Sequence, residues 1–275
     1  MKMVLVTGGL GFIGSNFIRM LLGLDRDLRV INLDKQTYAG NPENLADLDG
    51  NDRCQAVIGE IGDEGLVSRL LDENKPDTVV NFAAESHVDR SIDGPEPFVQ
   101  TNVLGTLRLL EASRKFFAGL PPQDKDSFRF LHVSTDEVYG SLGEKGFFTE
   151  ETQIEPNSPY SASKAAADGL VRSYHETYGL FTIITRCSNN YGPFQDTEKL
   201  IPKCISNALQ NSRIPIYGKG TNVRDWIYVT DHCKGIMQAL NNSKEGEIYN
   251  FGGGYEMSNI KLVKMILQKL DKSEE

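Results

Sequence analysis

Short apolar runs alternate along the chain with longer stretches in which apolar residues recur at helical spacing. The short runs predict strands at residues 4–7, 29–33, 78–83, 128–133 and 181–185, and the longer stretches predict helices at 12–22, 63–73, 97–117 and 159–178. Strands separated by helices are typical of βαβ units in a parallel sheet. Because the run TVVNF at 78–82 is almost continuously apolar, we expect a doubly wound α/β sheet that is covered on both faces.

The alternation weakens after about residue 186, where loops rich in Asn, Gly and Pro follow one another. We interpret this part as a smaller C-terminal lobe that packs over the sheet and binds the substrate. The predicted boundaries assign residues 1–186 and 222–247 to the sheet domain and residues 187–221 and 248–275 to the lobe.

Composition and charge exclude several classes of function. The chain has 275 residues and a net charge of −9, so it can bury a substantial core but has no clustered Lys and Arg for binding nucleic acid. No apolar stretch approaches the roughly 18 residues of a membrane span, and no cleavage site for a signal peptide follows the N-terminal run. We therefore expect a cytoplasmic protein without nucleic-acid or membrane partners.

The cysteines and histidines give no metal-binding pattern. Four cysteines, at positions 54, 187, 204 and 233, are far apart and form no CxxC pair, so we interpret them as free thiols in a reducing compartment. No cluster has the spacing of a zinc site, and we predict no metal. Among the histidines, we interpret His87 as a residue that orders its loop, and we assign no chemistry to His132, His175 or His232.

A glycine-rich turn joins the first predicted strand to the first predicted helix. In the segment TGGLGFIG at 7–14, the glycines fall at Gly8, Gly11 and Gly14. This spacing allows a tight turn, a close approach of the backbone to a pyrophosphate, and close packing of helix and strand. The free N–H groups of the helix N-terminus favour an anion there. The segment predicts a Rossmann-type dinucleotide site.

Asp34 ends the second predicted strand, 20 residues after Gly14. A carboxylate at this position can accept hydrogen bonds from the 2′-hydroxyl of an adenosine ribose. A 2′-phosphate would meet a like charge, so the sequence favours NAD over NADP. The alternative is a solvated carboxylate in a loop.

A tyrosine and a lysine stand four residues apart, at Tyr160 and Lys164, near the start of a predicted helix. This spacing places both side chains on one face. Because an ammonium group favours the phenolate, a nearby lysine is expected to lower the tyrosine pKa from about 10. The pair can then take a proton from a sugar hydroxyl. The alternative is an exposed tyrosine and a solvated lysine.

Two adjacent carboxyl groups follow the predicted strand 128–133. Thr135 offers a hydroxyl to a substrate, and Asp136 and Glu137 come directly after it. Active sites of open parallel sheets lie at the carboxyl ends of the strands. Since two close carboxyl groups do not both ionise easily, one can act as an acid while the other acts as a base. Elimination of water needs this division of roles, although two solvated turn residues would give the same pattern.

Several long segments of the chain resemble the dTDP-glucose 4,6-dehydratases, a family of extended short-chain dehydrogenases/reductases. They are TGGLGFIGS at 7–15, DKQTYAGN at 34–41, AAESHVDRS at 83–91, TDEVYG at 135–140, SPYSASK at 158–164, CSNNYGP at 187–193, KLIP at 199–202 and PIYGKGTNVRDWIY at 215–228. The resemblance implies oxidation of the sugar at C4, elimination of water across C5 and C6, and return of the hydride to C6.

The resemblance also implies residue roles. Tyr160, supported by Lys164, would start the oxidation at C4 while Thr135 holds the sugar. Glu137 would remove the C5 proton, and Asp136 would protonate the departing C6 hydroxyl. Further contacts to NAD are implied for Phe12, Ile13, Asp34, Lys35, Gln36, Thr37, Glu60, Ile61, Ala83, Ala84, Thr101 and Asn190. Contacts to the nucleotide-diphosphate sugar are implied for Ser86, Asn189, Lys199, Leu200, Pro215, Ile216, Tyr217, Arg224 and Asn259.

Two departures from the family pattern concern binding. Glu60 stands where the family usually has Asp beside the adenine. The family also continues beyond position 275 with an Arg-Pro-Gly-His segment that helps to bind the nucleotide, so we expect an incomplete nucleotide pocket here. The family further implies a homodimer, with the helical stretches 97–117 and 159–178 pairing across a two-fold axis.

Three other functions remain open on the sequence. A UDP-glucose 4,6-dehydratase differs in its substrate by one methyl group on the base. An epimerase or a decarboxylase of the same family shares the glycines, Tyr160 and Lys164, but lacks the Asp136-Glu137 pair. From a different class, a non-catalytic NAD-binding sensor would keep the glycines and lose the tyrosine or the lysine.

Overall fold

The larger of two sheets contains parallel strands throughout. The computed structural model describes residues 1–143, 146–216 and 218–273. The strands are β1 Met3–Thr7, β2 Arg29–Asp34, β3 Cys54–Ile58, β4 Thr78–Asn81, β5 Arg129–Thr135, β6 Thr182–Cys187, β7 Asn189–Tyr191, β8 Val223–Tyr228, β9 Ile248–Phe251 and β10 Glu256–Ser258. The large sheet has the order β3-β2-β1-β4-β5-β6-β9. Because the order reverses between β1 and β4, a crevice for a ligand opens at the carboxyl ends of these strands.

Helices cover both faces of this sheet. They are α1 Phe12–Leu24, α2 Glu64–Asn74, α3 Val88–Asp93, α4 Glu96–Phe98, α5 Thr106–Gly119, α6 Pro122–Lys125, α7 Pro159–Tyr178, α8 Leu200–Leu209, α9 Val229–Asn242 and α10 Asn259–Lys269. One core packs α1 and α9 against the sheet, and a second packs α2, α5 and α7 against its other face. The predicted doubly wound, Rossmann-type fold is confirmed.

Local sequence explains why α7 has the predicted bounds, Pro159–Tyr178. Ser158 caps its N-terminus in a capping box with Ser161, and Pro159 occupies the first helical position. Both features favour a helix start. Gly179 ends the helix at φ 64°, in the left-handed conformation that glycine adopts without steric cost. These local features therefore fix the first two turns of this helix, which carry Tyr160 and Lys164.

A small sheet and two helices lie in the part of the chain where the C-terminal lobe is predicted. The small sheet has the order β10-β8-β7, and α8 packs against α10 around Cys204, Leu262, Val263 and Ile266. Two strand positions differ from the predicted boundaries: β9 joins the large sheet, whereas β8 joins the small one. Both strands are short and half-exposed in parts, so their apolar alternation gives a weak signal. The division into two domains otherwise stays a prediction.

The predicted helix at 97–117 is not one regular α-helix. It begins as α4, continues as a π-helical segment at Val99–Gly105, and ends as α5. A π-helical turn is rare and occurs often at functional sites. Apolar spacing alone does not distinguish this register from a regular helix, which is why the sequence could not indicate it.

Candidate active site

A cavity of about 1650 Å³ runs along the carboxyl ends of the large sheet's strands. It continues to α8 and β8 of the smaller lobe, so it has room for a dinucleotide and a second ligand. Every predicted site residue lines this cavity with two exceptions. Gln36 does not line the cavity; it has φ 55°, and its backbone N–H donates to Asp34 Oδ1 at 2.8 Å. Tyr217 lies outside the described residues.

The glycine turn leaves no space for side chains at two of its three positions. Gly8 has φ +70°, and a Cβ there would lie 2.6 Å from Ala83 N. A Cβ at Gly14 would lie 2.4 Å from Gly8 O. A Cβ at Gly11 has more room, with Gly8 O at 3.2 Å as its nearest atom, and Gly11 lines the cavity. The absence of a side chain at position 11 therefore lets a ligand approach the backbone, as a pyrophosphate site requires.

Alanine at position 8 is expected to destabilise the fold and lower the amount of cofactor that copurifies. The left-handed conformation costs a non-glycine residue about 1–2 kcal/mol, and the new Cβ would displace the backbone after β4. Gly23→Ala in α1 is the matched control, because the described structure has no atom within 4 Å of a Cβ there. Thermal unfolding and cofactor content of both variants test this. A Gly8→Ala protein with wild-type stability and cofactor content would contradict it.

Asp34 ties the end of β2 to the glycine turn. Its Oδ2 accepts from Leu10 N at 2.9 Å, and its Oδ1 accepts from Gln36 N. The residue is buried, which is inconsistent with a solvated loop carboxylate. Each carboxylate oxygen has a further lone pair, so Asp34 can still accept from a ribose hydroxyl.

Two further features lie near the predicted dinucleotide site: the N-terminus of α1 and an ion pair after β2. No described side chain caps α1, so the N–H groups of its first turn can bind a phosphate. Farther along, Lys35 forms an ion pair with Glu60, and both side chains are about half exposed. The longer side chain of Glu60, relative to the Asp of the family pattern, therefore reaches Lys35.

The adjacent carboxyl groups lie where β5 ends and a short 3₁₀ turn begins. Thr135 Oγ1 accepts from Glu137 N at 3.2 Å and lies 3.3 Å from Asp136 Oδ1. Burial, and after it the charge of Glu137, raise the pKa of Asp136 to about 7. Burial also raises the pKa of Glu137, but the positive charges of Arg224 and Lys199 oppose this increase. Near neutral pH the two carboxyl groups therefore differ in their tendency to hold a proton.

Tyr160 and Lys164 lie together on the buried face of α7. The Lys164 ammonium donates to Val133 O at 2.8 Å and lies 3.2 Å from His132 Nε2. Burial lowers the pKa of Lys164 to about 8.

The tyrosine differs from the sequence-based expectation. Burial, followed by the charge of Glu137, raises the pKa of Tyr160 well above its ordinary value. The prediction of a lowered pKa for Tyr160 was wrong. The phenol is buried beside carboxyl groups, and the Lys164 ammonium donates its hydrogen bond to β5 instead. The Thr135 hydroxyl lowers the pKa of Tyr160 through a hydrogen bond, which links the phenol to the carboxyl pair.

Two buried asparagines organise the cavity wall. Asn102, in the π-helical segment beside Thr101, accepts from Glu85 N at 2.8 Å and donates to Ser163 Oγ at 2.8 Å. It thereby joins the loop after β4 to α7. Asn190 accepts from His232 Nδ1 at 2.9 Å and donates to Ser188 O at 3.0 Å. The side chain of Asn190 is therefore already bonded within the protein.

Two positive charges on the lobe side of the cavity act on the carboxyl pair. Lys199 precedes α8 and Arg224 lies in β8, and both act on Glu137. The buried Oδ1 of Asn259 and Nε1 of Trp226 have no hydrogen-bond partner in the described structure. Since unpaired buried polar atoms are costly, these two fit a wall that completes its hydrogen bonds with a polar ligand.

Sequence reasoning missed a group of residues that closes one end of the cavity. Arg90 stacks over the Tyr38 ring at 3.8 Å and pairs with Glu198 at 2.8 Å. His87 Nε2 lies 3.7 Å from the same carboxylate. These contacts join α3 and the loop before it to the segment before α8. Their signal in the sequence was that Tyr38, His87 and Arg90 lie in segments that resemble the family.

No group of three or more His, Cys, Asp or Glu side chains in the described ranges is arranged to hold a metal ion. No helix in the same ranges has the length and apolar character needed to cross a membrane.

Known proteins match this chain over nearly its whole length. Residues 5–275 match the family model described as GDP-mannose 4,6 dehydratase. A dTDP-glucose 4,6-dehydratase of Xanthomonas campestris pv. campestris (strain B100) is 58% identical over 267 residues, which are 97% of this chain and 76% of the relative.

Solved structures agree with these matches. A dTDP-glucose 4,6-dehydratase of Streptomyces venezuelae, crystallised with NAD and TYD bound, is 49% identical with a TM-score of 0.91, and the match covers 98% of this chain and 82% of that one. The Bacillus anthracis str. Ames enzyme in complex with NAD is 46% identical with a TM-score of 0.91, and the match covers 100% and 82% of the two chains. The chain therefore belongs to the dTDP-glucose 4,6-dehydratase family.

Proposed function

We propose that this protein dehydrates dTDP-glucose to dTDP-4-keto-6-deoxyglucose with NAD as its cofactor. The observation that carries the proposal is the Asp136-Glu137 pair beside Tyr160, in a cavity with a dinucleotide turn at one end. Oxidation alone, or epimerisation at C4, needs no such pair. Elimination of water needs both an acid and a base.

The residues of the glycine turn and Asp34 would hold the cofactor. Gly11 admits the backbone approach of a pyrophosphate, and the first turn of α1 offers N–H donors. Asp34 would accept from the adenosine ribose and disfavour a 2′-phosphate. When bound, NAD supplies a two-electron acceptor that carries a positive charge on its oxidised ring.

Tyr160 would take the proton of the C4 hydroxyl. Its raised pKa means that the phenol keeps its proton while Glu137 is charged beside it. A positive charge near the ring, or protonation of a neighbouring carboxylate, would lower that pKa. The Thr135 hydroxyl would orient the phenol and the sugar, since it acts on the phenol and lowers the pKa of Tyr160.

Glu137 and Asp136 would then carry out the elimination. The ketone at C4 acidifies the C5 proton, which Glu137 would remove. Asp136, with a pKa of about 7, holds a proton in a large fraction of molecules near neutral pH and would give it to the departing C6 hydroxyl. Arg224 and Lys199 favour the ionised form of Glu137, which is the form that a base needs.

The diphosphate of the substrate would bind on the lobe side. The guanidinium of Arg224 can donate two parallel hydrogen bonds to phosphate oxygens. Lys199 adds a second positive charge, and Asn259 and Trp226 add unpaired polar atoms. The related Streptomyces venezuelae dTDP-glucose 4,6-dehydratase was crystallised with TYD as well as NAD, which supports binding of a second ligand in addition to the cofactor.

Turnover of matched sugar nucleotides tests the proposal. We expect the wild-type protein to convert dTDP-glucose to a 4-keto-6-deoxy product, with a higher kcat/KM than for UDP-glucose. A higher kcat/KM for UDP-glucose would assign the other 4,6-dehydratase activity. Retention of NAD without turnover of either compound would instead support the sensor.

We also expect a homodimer in a cytoplasmic setting. Exposed apolar side chains lie on the two stretches implied in dimerisation, with Val99 and Leu104 in the π-helical segment and Tyr178 at the end of α7. Burying such side chains against a second copy would remove apolar surface from water. Light scattering at micromolar concentration should give twice the mass of one chain, and the mass of a single chain would contradict this prediction.

A further inference from the structure

Four ionisable side chains lie behind the candidate active site, between α7 and strands β5 and β6. They are His132, Lys164, Asp168 and Arg186, and they are between 1% and 4% exposed. Buried charges are costly unless they are paired. The arrangement of these four groups therefore determines which of them can be charged.

Short contacts connect the four groups. The Lys164 ammonium lies 3.2 Å from His132 Nε2, and this nitrogen lies 3.8 Å from Asp168 Oδ1. The other oxygen of Asp168 accepts from Arg186 Nε at 2.9 Å. Asp168 Oδ1 is buried and has no hydrogen-bond partner in the described structure. The carboxylate thus pairs directly with Arg186 and faces Lys164 across the His132 imidazole.

The imidazole is neutral in this arrangement. Burial, and then the charge of Lys164, lowers the pKa of His132 well below its ordinary value. A neutral imidazole carries one proton, on Nδ1 or on Nε2, and adds no charge in either tautomer. Nδ1 lies 3.0 Å from Asn81 Nδ2, and Nε2 lies 3.2 Å from Lys164 Nζ. His132 therefore contacts Lys164 without contributing charge.

The other groups around Lys164 contribute less negative charge. On β6, Cys187 is neutral near physiological pH because burial raises its pKa to about 12. From α7 and the 3₁₀ turn, Tyr160 holds its proton and Asp136 is partly protonated. Glu137 pairs electrostatically with Arg224 and Lys199. Asp168 is accordingly the largest source of negative charge that favours the Lys164 ammonium.

We propose that Asp168 is a positioning residue, the buried counterion that keeps Lys164 an ammonium one helical turn from Tyr160, and that Arg186 limits this effect by sharing the carboxylate. The proposal deepens the proposed function, on which its kinetic consequence rests. It assigns a role to an Asp168–Arg186 pair that does not line the cavity.

The proposal predicts shifts of opposite sign. Asp168→Asn removes the counterion, so Lys164 loses its proton at a lower pH than in the wild type. Arg186→Gln leaves the carboxylate to Lys164 alone and removes a like charge, so Lys164 loses its proton at a higher pH. Each shift should be about one pH unit, as expected for a single buried charge. Damage to packing would not move the two variants in opposite directions.

The decisive experiment is a pH titration by NMR of the cofactor-containing protein labelled with ¹³C at lysine Cε. The resonance that is absent from Lys164→Met identifies Lys164. The alkaline limb of kcat/KM is measured on the same samples. Glu176→Gln, which removes a charge from the exposed Arg172–Glu176 pair on the same helix, serves as the matched control and should shift neither measurement.

Opposite shifts in Asp168→Asn and Arg186→Gln support the counterion role. Equal shifts, shifts of the same sign, or no shift overturn it. If Asp168→Asn does not fold, Arg186→Gln alone decides, and a Lys164 resonance that titrates in it at the wild-type pH or below overturns the proposal. The NMR titration gives this answer without turnover, so a wild type that does not convert dTDP-glucose would refute the proposed function alone.

Discussion

Replacing Glu137 with Gln is expected to lower kcat for the dehydration of dTDP-glucose about 10²–10⁴-fold. The amide has nearly the same shape but cannot accept the C5 proton. Oxidation at C4 does not need this carboxylate, and loss of its charge removes one of the causes that raise the pKa of Tyr160. The variant should therefore oxidise the sugar and stop before water is lost.

This partial reaction has a direct readout. After one addition of dTDP-glucose, the near-ultraviolet absorbance of reduced nicotinamide should rise in Glu137→Gln and persist, whereas it should remain low in the wild type at steady state. Glu176→Gln, an exposed carboxylate on α7, is the control and should behave like the wild type. Unchanged kcat in Glu137→Gln would remove this residue from the elimination step.

Replacing Tyr160 with Phe is expected to reduce turnover by a similar factor, about 10²–10⁴-fold, at an earlier step. The phenylalanine fills the same buried space against Phe98, whose ring lies 6.4 Å from that of Tyr160, so the fold should be retained. Without the phenolic oxygen, the C4 hydroxyl has no base and the cofactor should stay oxidised. Tyr255→Phe, at an exposed tyrosine, is the control.

The two variants together separate oxidation from elimination. Tyr160→Phe should show no reduced nicotinamide after addition of dTDP-glucose, and Glu137→Gln should show it clearly. Binding of the sugar nucleotide, measured by calorimetry, should be similar in both and in the wild type. Accumulation of reduced nicotinamide in Tyr160→Phe would show that another group removes the C4 proton.

Much of the fold could be predicted because its signals are local. The strands β1, β2 and β4 are short apolar runs, and α7 has both a capping box and a terminal glycine. Such features act within a few residues of the chain. The π-helical segment at Val99–Gly105 depends on tertiary contacts, and so does the sheet to which β8 and β9 each belong. No pattern in the sequence indicated either feature.

The candidate site also combines features that have a local signal in the sequence with features that depend on tertiary contacts. The glycine turn, Asp34 and the Asp136-Glu137 pair follow strand ends, and the fold then brings strand ends together. The raised pKa of Tyr160 could not be predicted, because it depends on burial and on Glu137 approaching from another element. His132 also gave no signal, since its contact with Lys164 joins residues that are 32 positions apart.

The central claim is that the carboxyl pair eliminates water from dTDP-glucose. The most direct test is to incubate the wild-type protein with dTDP-glucose in deuterated water and to examine the product by mass spectrometry and NMR. We predict a 4-keto-6-deoxy product that carries solvent deuterium at C5, because Glu137 exchanges the C5 proton with solvent before it is replaced. A C4 epimer of unchanged mass without deuterium at C5, or no reaction at all, would contradict the claim.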